Sequence, residues 1–318
     1  MTTLLKQQWV LVLLLITTIV CKADYQPIKK SNTTAFLVKD SLVKHTVLSN
    51  GHPMAVWEKK VENPKGLILF VHGRTWSGVP DFDLQVEGED LSLMDGLVEQ
   101  GYSTYAIDLR GYGKTPRDAT EWSSPEIASN DILNVLNWIS EENNKTKVHL
   151  FGWSMGSTLS LLATQKDSKN IASLTVFGYW QDLDSKIPED TNDKKLLKSI
   201  NTAKNAASDF IIPGSISKNA VDTYVKIALA YDPIRVDWRH ESEYNNIDPT
   251  LITTPVLLIQ GEFDPLAPTV NQVKLFTRLK TADKSWVVIS GGDHAAFMET
   301  PRNQFIQSFT AFIDRFNE

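Results

Sequence analysis

The chain has 318 residues, 42% of them hydrophobic and 22% charged, with a formal net charge of −6. That balance supplies apolar material for a large core and excludes a disordered or low-complexity chain. A mildly acidic composition without a basic patch excludes nucleic acid as a partner, and the length fits a single large α/β domain.

The first residues read as a targeting segment rather than as fold. Lys6 supplies a short positive region, an apolar run follows over 9–20, and Cys21-Lys22-Ala23 places small residues where a signal peptidase cuts. Residues 1–23 are therefore expected to be a signal peptide, and the mature protein secreted or periplasmic. Twelve helical residues span about 18 Å, short of a bilayer's roughly 30 Å, so no stable transmembrane anchor is expected. Cys21 raises lipid anchoring, but Val20 stands where a lipoprotein signal wants a small residue. Cleavage would remove the single cysteine and leave 30 basic against 38 acidic residues, a net charge of −8. The mature chain then has no disulfide, no thiol nucleophile and no cysteine-based metal site.

After a polar lead-in, residues 41–49 and 53–60 read as strands around Asn50-Gly51, a strong hairpin signal. The continuous apolar run 67–71 is a strand covered on both faces. An amphipathic segment over 84–100 reads as a helix stopping at Gly101, followed by a strand at 104–108. Ser124-Pro125-Glu126 opens a helix to about 142, with proline in the first turn where its missing N–H costs nothing. Strand 148–152 leads directly into helix 157–166. Strands at 174–177, 256–260 and 286–289 and helices at 270–280 and 304–316 complete the alternation. This order implies a mostly parallel, doubly covered sheet in an α/β domain. Residues 24–180 and 253–318 form its two parts, and 181–252 is expected to be an inserted helical cap over the sheet's C-terminal edge. Helices are expected there at 194–210 and 217–231.

Gly152-Trp153-Ser154-Met155-Gly156 lies between an apolar strand and a helix. A serine at that sharp turn is lifted out of the sheet beside a helix N-terminus, and side chains at either glycine position would strike backbone. A serine hydroxyl needs a base. Of the six histidines, His294 in Gly291-Gly292-Asp293-His294 follows the last strand, on the edge where Ser154 emerges. His149 reads as core, His45 and His52 belong to the hairpin, and His240 lies in the cap. The base needs a carboxylate to fix its tautomer. Asp264, in Gly261-Glu262-Phe263-Asp264-Pro265, is placed to cross to His294; Glu262 competes, and Asp182 and Asp184 are remoter alternatives. The amides of Met155 and Arg74 are the candidate oxyanion donors, with Gly73 letting the loop come close and His72 holding it. The Arg74 side chain either meets an acidic substrate group, points to solvent or pairs with an acid. Trp76, Trp153 and Trp180 lie near these motifs, as core packing or as pocket walls.

The segments Phe70-Val71-His72-Gly73, Asp108-Leu109-Arg110-Gly111-Tyr112-Gly113, Gly152–Gly156, Gly261–Asp264 and Gly292-Asp293-His294 together resemble the α/β-hydrolase superfamily, from about residue 40 to the C-terminus. The resemblance implies the α/β-hydrolase fold with a catalytic triad of Ser154, Asp264 and His294. Serine rather than aspartate at the nucleophile position implies esterases, lipases, lysophospholipases, thioesterases and some peptidases. The Asp108–Gly113 loop implies structure, not catalysis. The leading expectation is a carboxylic-ester hydrolase acting on a small-molecule or lipid-like ester, without metal or organic cofactor. The alternatives are an aminopeptidase, for which Glu241, Glu243 and Asp237 could grip an amino terminus, a thioesterase, or a catalytically silent binding protein.

Overall fold

The computed structural model describes residues 42–144, 146–191 and 193–317; the expected signal peptide and Cys21 lie outside them. Strands β1 (Val43–Ser49) and β2 (His52–Lys59) form the expected antiparallel hairpin. Its turn residues Asn50 and Gly51 have φ of 49° and 82°, the primed geometry whose twist matches the flanking strands. Then come β3 (Leu67–Val71), helices α1 (Gly78–Phe82) and α2 (Leu93–Glu99), and β4 (Ser103–Asp108). Next are the short β5 (Trp122–Ser123), α3 (Pro125–Glu142), β6 (Val148–Trp153), α4 (Met155–Lys166) and β7 (Ile171–Phe177).

The interval after β7 holds α5 (Ala203–Ala207), α6 (Lys218–Tyr231) and the short β8 (Asp237–Trp238). The chain closes with β9 (Val256–Gly261), α7 (Thr269–Arg278), β10 (Lys284–Ile289) and α8 (Arg302–Ile313). The main sheet has eight strands in the order β1-β2-β4-β3-β6-β7-β9-β10. Every pairing from β4 to β10 is parallel, and β2 runs against both of its neighbours.

The apolar run in β3 follows from burial on both faces. Leu67, Leu69 and Val71 join one core layer with α3 and α4, while Ile68 and Phe70 join the other with α1, α2 and α8. Local signals fix the helix starts. Ser124 Oγ accepts from the Ile127 amide at 3.3 Å with Pro125 behind it, and such a cap is worth about 1 kcal/mol.

Two helices expected from the sequence are shorter in the structure. The segment 84–100 is helical only over α2, which Ser92 caps by accepting from the Asp95 amide at 2.9 Å. Upstream, Gly88 sits at φ +77° and Val86 bridges Glu89, so buried Leu84 and Val86 anchor a loop. The segment 194–210 is helical only over α5. The Asp237 carboxylate accepts from the amides of Leu197 and Lys198, both at 3.0 Å, and Ile200 bridges Ile234. Those contacts satisfy the backbone in an extended form and remove the need for a helix there. Among the described residues, no helix is long and apolar enough to cross a membrane.

Candidate active site

Ser154 stands between β6 and α4 at φ 55° and ψ −119°, a region that strains a residue with a Cβ. The flanking glycines explain how the turn closes. A Cβ on Gly152 would lie 2.2 Å from the Gly156 carbonyl oxygen, and one on Gly156 would lie 2.2 Å from that of Val71. Any side chain at either position would force the strand and helix apart. The Ser154 amide donates to Phe177 O at 2.8 Å, locking the turn onto the neighbouring strand.

His294 and Asp264 come from the loops after β10 and β9. Their side chains are buried and meet through His294 Nδ1 and Asp264 Oδ2 at 2.8 Å. The other oxygen of Asp264 accepts from the amides of Leu266 (2.9 Å) and Ala267 (3.2 Å), so the carboxylate is fixed before it reaches the imidazole. That bond places the proton on Nδ1 and leaves Nε2 as the basic nitrogen. Trp153 donates its indole N–H to His294 O at 2.7 Å. Gly178, at φ +66°, leaves room for the ring: a Cβ there would fall 2.8 Å from His294 Cε1. Glu262 points elsewhere, accepting from Ser290 Oγ and the Gly291 amide. Asp182 and Asp184 pair with Lys274 and Arg278 at the surface.

Ser154 and His294 line one cavity of about 170 Å³, shared with Gly73, Arg74, Trp76, Asp81, Trp153, Asp209 and Leu266. Among the described residues no hydrogen bond joins Ser154 Oγ to His294. Such bonds are commonly loose before substrate arrives. The Arg74 amide donates no hydrogen bond among the described residues, and the Met155 amide heads α4, where N–H groups lack helical partners. Among the described residues, neither candidate oxyanion donor is engaged by another protein group.

The loop carrying Arg74 is held from behind. Buried His72 has Nδ1 2.8 Å from Gly73 O and accepts from the Leu109 amide at 3.1 Å; burial lowers its pKa to about 4, so it stays neutral. Tyr112, from the Asp108–Gly113 loop, donates its hydroxyl to Arg74 O, and Trp238 Nε1 donates to that hydroxyl at 2.9 Å. Asp108 accepts from Trp57 Nε1 and from the amides of Gly78 and Lys114. The loop thus supports the site without entering it. The Arg74 guanidinium pairs with Glu241, and Arg74 lines both the inner cavity and a second, outer cleft of about 610 Å³. That cleft is lined by Trp122, Val236, Trp238, Lys195 and Arg235, among others.

Some sequence expectations land elsewhere. Trp180 packs on Tyr244 and donates to Thr158 Oγ1, away from the cavity. Glu243 accepts from the Glu126 amide, and Asp237 is committed to the 197–198 backbone. His149 is buried beside Ser173 and Asn317. Conversely, two carboxyls, one buried and one partly buried, went unrecognised. Asp81, on α1, and Asp209, just after α5, line the cavity and are bridged by the hydroxyl of Tyr224 from α6, at 3.0 and 3.2 Å. Burial pushes Asp81 well above the usual carboxylate range, with Asp209 adding to the push, and raises Asp209 to about 6. No motif marks them, because they are far apart in sequence and meet only in the folded chain, across the Tyr224 hydroxyl. Among the described residues no cluster of three or more metal-ligating side chains occurs.

Comparison with known proteins agrees with this architecture. The chain is 24% identical over 253 residues to the monoglyceride lipase of Rattus norvegicus, covering 75% of this chain and 78% of that protein. Among solved structures, a thermophilic esterase from Thermogutta terrifontis superposes with a TM-score of 0.60 at 16% identity, covering 87% of this chain and all of the other (100%). A thioesterase domain from the curacin biosynthetic pathway gives 0.61 at 17% identity, covering 86% and 99%. These structural likenesses establish the α/β-hydrolase fold. Residues 62–301 match the family described as serine aminopeptidase, S33, and the chain belongs to that family of α/β hydrolases.

Proposed function

We propose that this hydrolase cleaves carboxylic esters through an acyl-enzyme on Ser154. The observation that carries this reading is the Asp264–His294 bond of 2.8 Å facing the same cavity as the strained Ser154, with two amides free to donate. His294 Nε2 takes the Ser154 proton as Oγ attacks the carbonyl carbon. The resulting oxyanion rests on the amides of Met155 and Arg74, and Asp264 stabilises the imidazolium. Collapse expels the alcohol, which takes the proton from His294. Water then attacks the acyl-enzyme by the same route and releases the acid. A lipid-like or small ester is favoured by the likeness to a monoglyceride lipase and an esterase.

An aminopeptidase reading needs an acid that can reach the substrate. Glu241, Glu243 and Asp237 are engaged elsewhere, and Asp81 and Asp209 are the carboxyls that line the cavity, Asp209 being the less buried. The deciding experiment is a panel of aryl esters of rising chain length with a thioester, a lysophospholipid and an aminoacyl arylamide added, run beside fluorophosphonate labelling. Preference for esters with labelling at Ser154 supports the proposal. No turnover and no labelling would favour a silent binding protein. We also propose that residues 1–23 direct export and are removed, which the N-terminal mass of the secreted protein tests.

A further inference from the structure

The amides that would hold the tetrahedral oxyanion would hold a carboxylate as well, and the acid half of an ester leaves as a carboxylate. During each attack the cavity contains an oxyanion and an imidazolium, with no net charge added. After deacylation the atoms balance differently. The acyl-enzyme and water give Ser154–OH and a carboxylic acid, which loses its proton to solvent, so a neutral His294 faces a carboxylate. A fixed negative charge in the wall penalises that last state and leaves the charge-balanced transition state nearly untouched.

The wall contains such a charge. Tyr224 has one hydroxyl proton and stands between two carboxyl oxygens, Asp81 Oδ1 at 3.0 Å and Asp209 Oδ2 at 3.2 Å. It can donate to only one and must accept from the other. Asp81 is almost completely buried, so it is the carboxyl that keeps its proton and donates to Tyr224. Tyr224 in turn donates to Asp209. This chain of hydrogen bonds delivers a single negative charge to Asp209, the partly exposed member that borders the cavity. Among the described residues no cation ion-pairs with Asp209; the positive charges that reach it from farther away are those of His294, when protonated, and Arg235. Its placement is built in. The Asp293 carboxylate, adjacent to His294, accepts from the amides of Ile211 at 3.0 Å and Ile212 at 2.8 Å. This bolts the segment bearing Asp209 to the His294 loop.

We propose that Asp209, backed by Tyr224 and Asp81, is a specificity residue that keeps anions out of the catalytic cavity, expelling the carboxylate product and rejecting acyl groups with a second carboxylate near the scissile bond. The inference rests on the ester-hydrolase reading.

The test compares 4-nitrophenyl butyrate with mono-4-nitrophenyl succinate, and inhibition by butyrate with inhibition by butyramide. Asp209→Asn should raise the succinyl-to-butyryl ratio of kcat/KM and tighten butyrate inhibition, each on the order of tenfold, while butyramide inhibition stays put. Asp209→Ser should do the same, so the answer does not hang on one variant. Asp81→Asn replaces a neutral group by a neutral one and should leave the anion discrimination intact. The proposal fails if butyrate and butyramide tighten alike, if neither ratio moves, or if Asp81→Asn relieves the discrimination. Turnover of neither ester together with no fluorophosphonate labelling would overturn the ester-hydrolase reading and this inference with it. Turnover with unchanged ratios overturns only the inference.

Discussion

Replacing Trp238 by alanine tests whether the 181–252 interval selects substrate. Trp238 is buried to within 3% and walls the outer cleft, not the small cavity around Ser154. Truncating a buried tryptophan costs about 3–5 kcal/mol where the site cannot collapse, and here an open cleft on one side relieves part of the strain. Denaturant midpoints should therefore show a loss toward the low end of that range. The functional effect should separate by chain length. Acetyl and butyryl esters extend least beyond the inner cavity of about 170 Å³, so they should change only through the second role of Trp238. That role is the indole N–H bonded at 2.9 Å to Tyr112, whose hydroxyl braces the Arg74 carbonyl. Long esters whose chain reaches the outer cleft, which shares Arg74 with the inner cavity, should shift by about tenfold in kcat/KM relative to butyrate, as expected for losing one large apolar wall. Trp238→Phe keeps most of the wall and loses the N–H, and should depress short and long esters equally and mildly. Equal loss for short and long esters in the alanine variant would assign Trp238 to bracing the oxyanion loop. An unchanged chain-length profile would mean the outer cleft carries no part of the substrate.

Other outcomes follow from the site and its surroundings. Ser154→Ala should lower turnover by on the order of 10⁴ to 10⁶ with the fold intact, and fluorophosphonate labelling should vanish with it; a variant keeping a tenth of the activity would displace Ser154 as nucleophile. Asp264→Asn presents an amide N–H to His294 Nδ1 and favours the wrong tautomer, so kcat should fall by about 10⁴, while circular dichroism stays unchanged. Glu299 is buried beside Asp293 and raised to about 8, by burial first and then by Asp293. Its folded pKa lies above its unfolded one, so the protein should lose stability as pH rises from about 4.5 to about 8, with no further change from this group beyond. Glu299→Gln should remove that slope in denaturant midpoints, and an unaltered slope would assign it to Asp81 and Asp108, whose burial acts in the same direction.

Much of the core was legible because its signals are local. Asn50-Gly51 announces a primed turn, Ser124-Pro125 announces a helix start, and the apolar run at 67–71 announces a strand buried on both faces. The serine elbow was legible for a steric reason, since only glycine fits at 152 and 156. The two failed helices share a cause. The segments 84–91 and 194–202 carry helix-compatible residues, but distant groups satisfy their backbone or bury their side chains, and tertiary contact overrides weak propensity. In the site, the carboxylate choice between Glu262 and Asp264 could be argued from position in the bend. Asp81 and Asp209 could not, because 128 positions of chain separate them and neither sits in a motif.

The sequence places Asp293 next to His294, and the structure gives that neighbour a separate task. Asp264 approaches the imidazole from one side and fixes its proton, while the Asp293 side chain turns away and takes two amides from the 181–252 interval. Its other oxygen accepts from the Ala295 amide at 2.9 Å, so the His294 loop is shaped by the same carboxylate that holds the segment above the cavity. Ser215 extends the joint: its hydroxyl donates to Glu299 at 2.7 Å and its carbonyl accepts from the Thr300 amide at 2.8 Å. A segment attached this way cannot drift far from Ser154 without disturbing His294. On the proposed mechanism, that joint ties the wall of the cavity to the base, and it holds Asp209 at a fixed place beside Ser154 and His294.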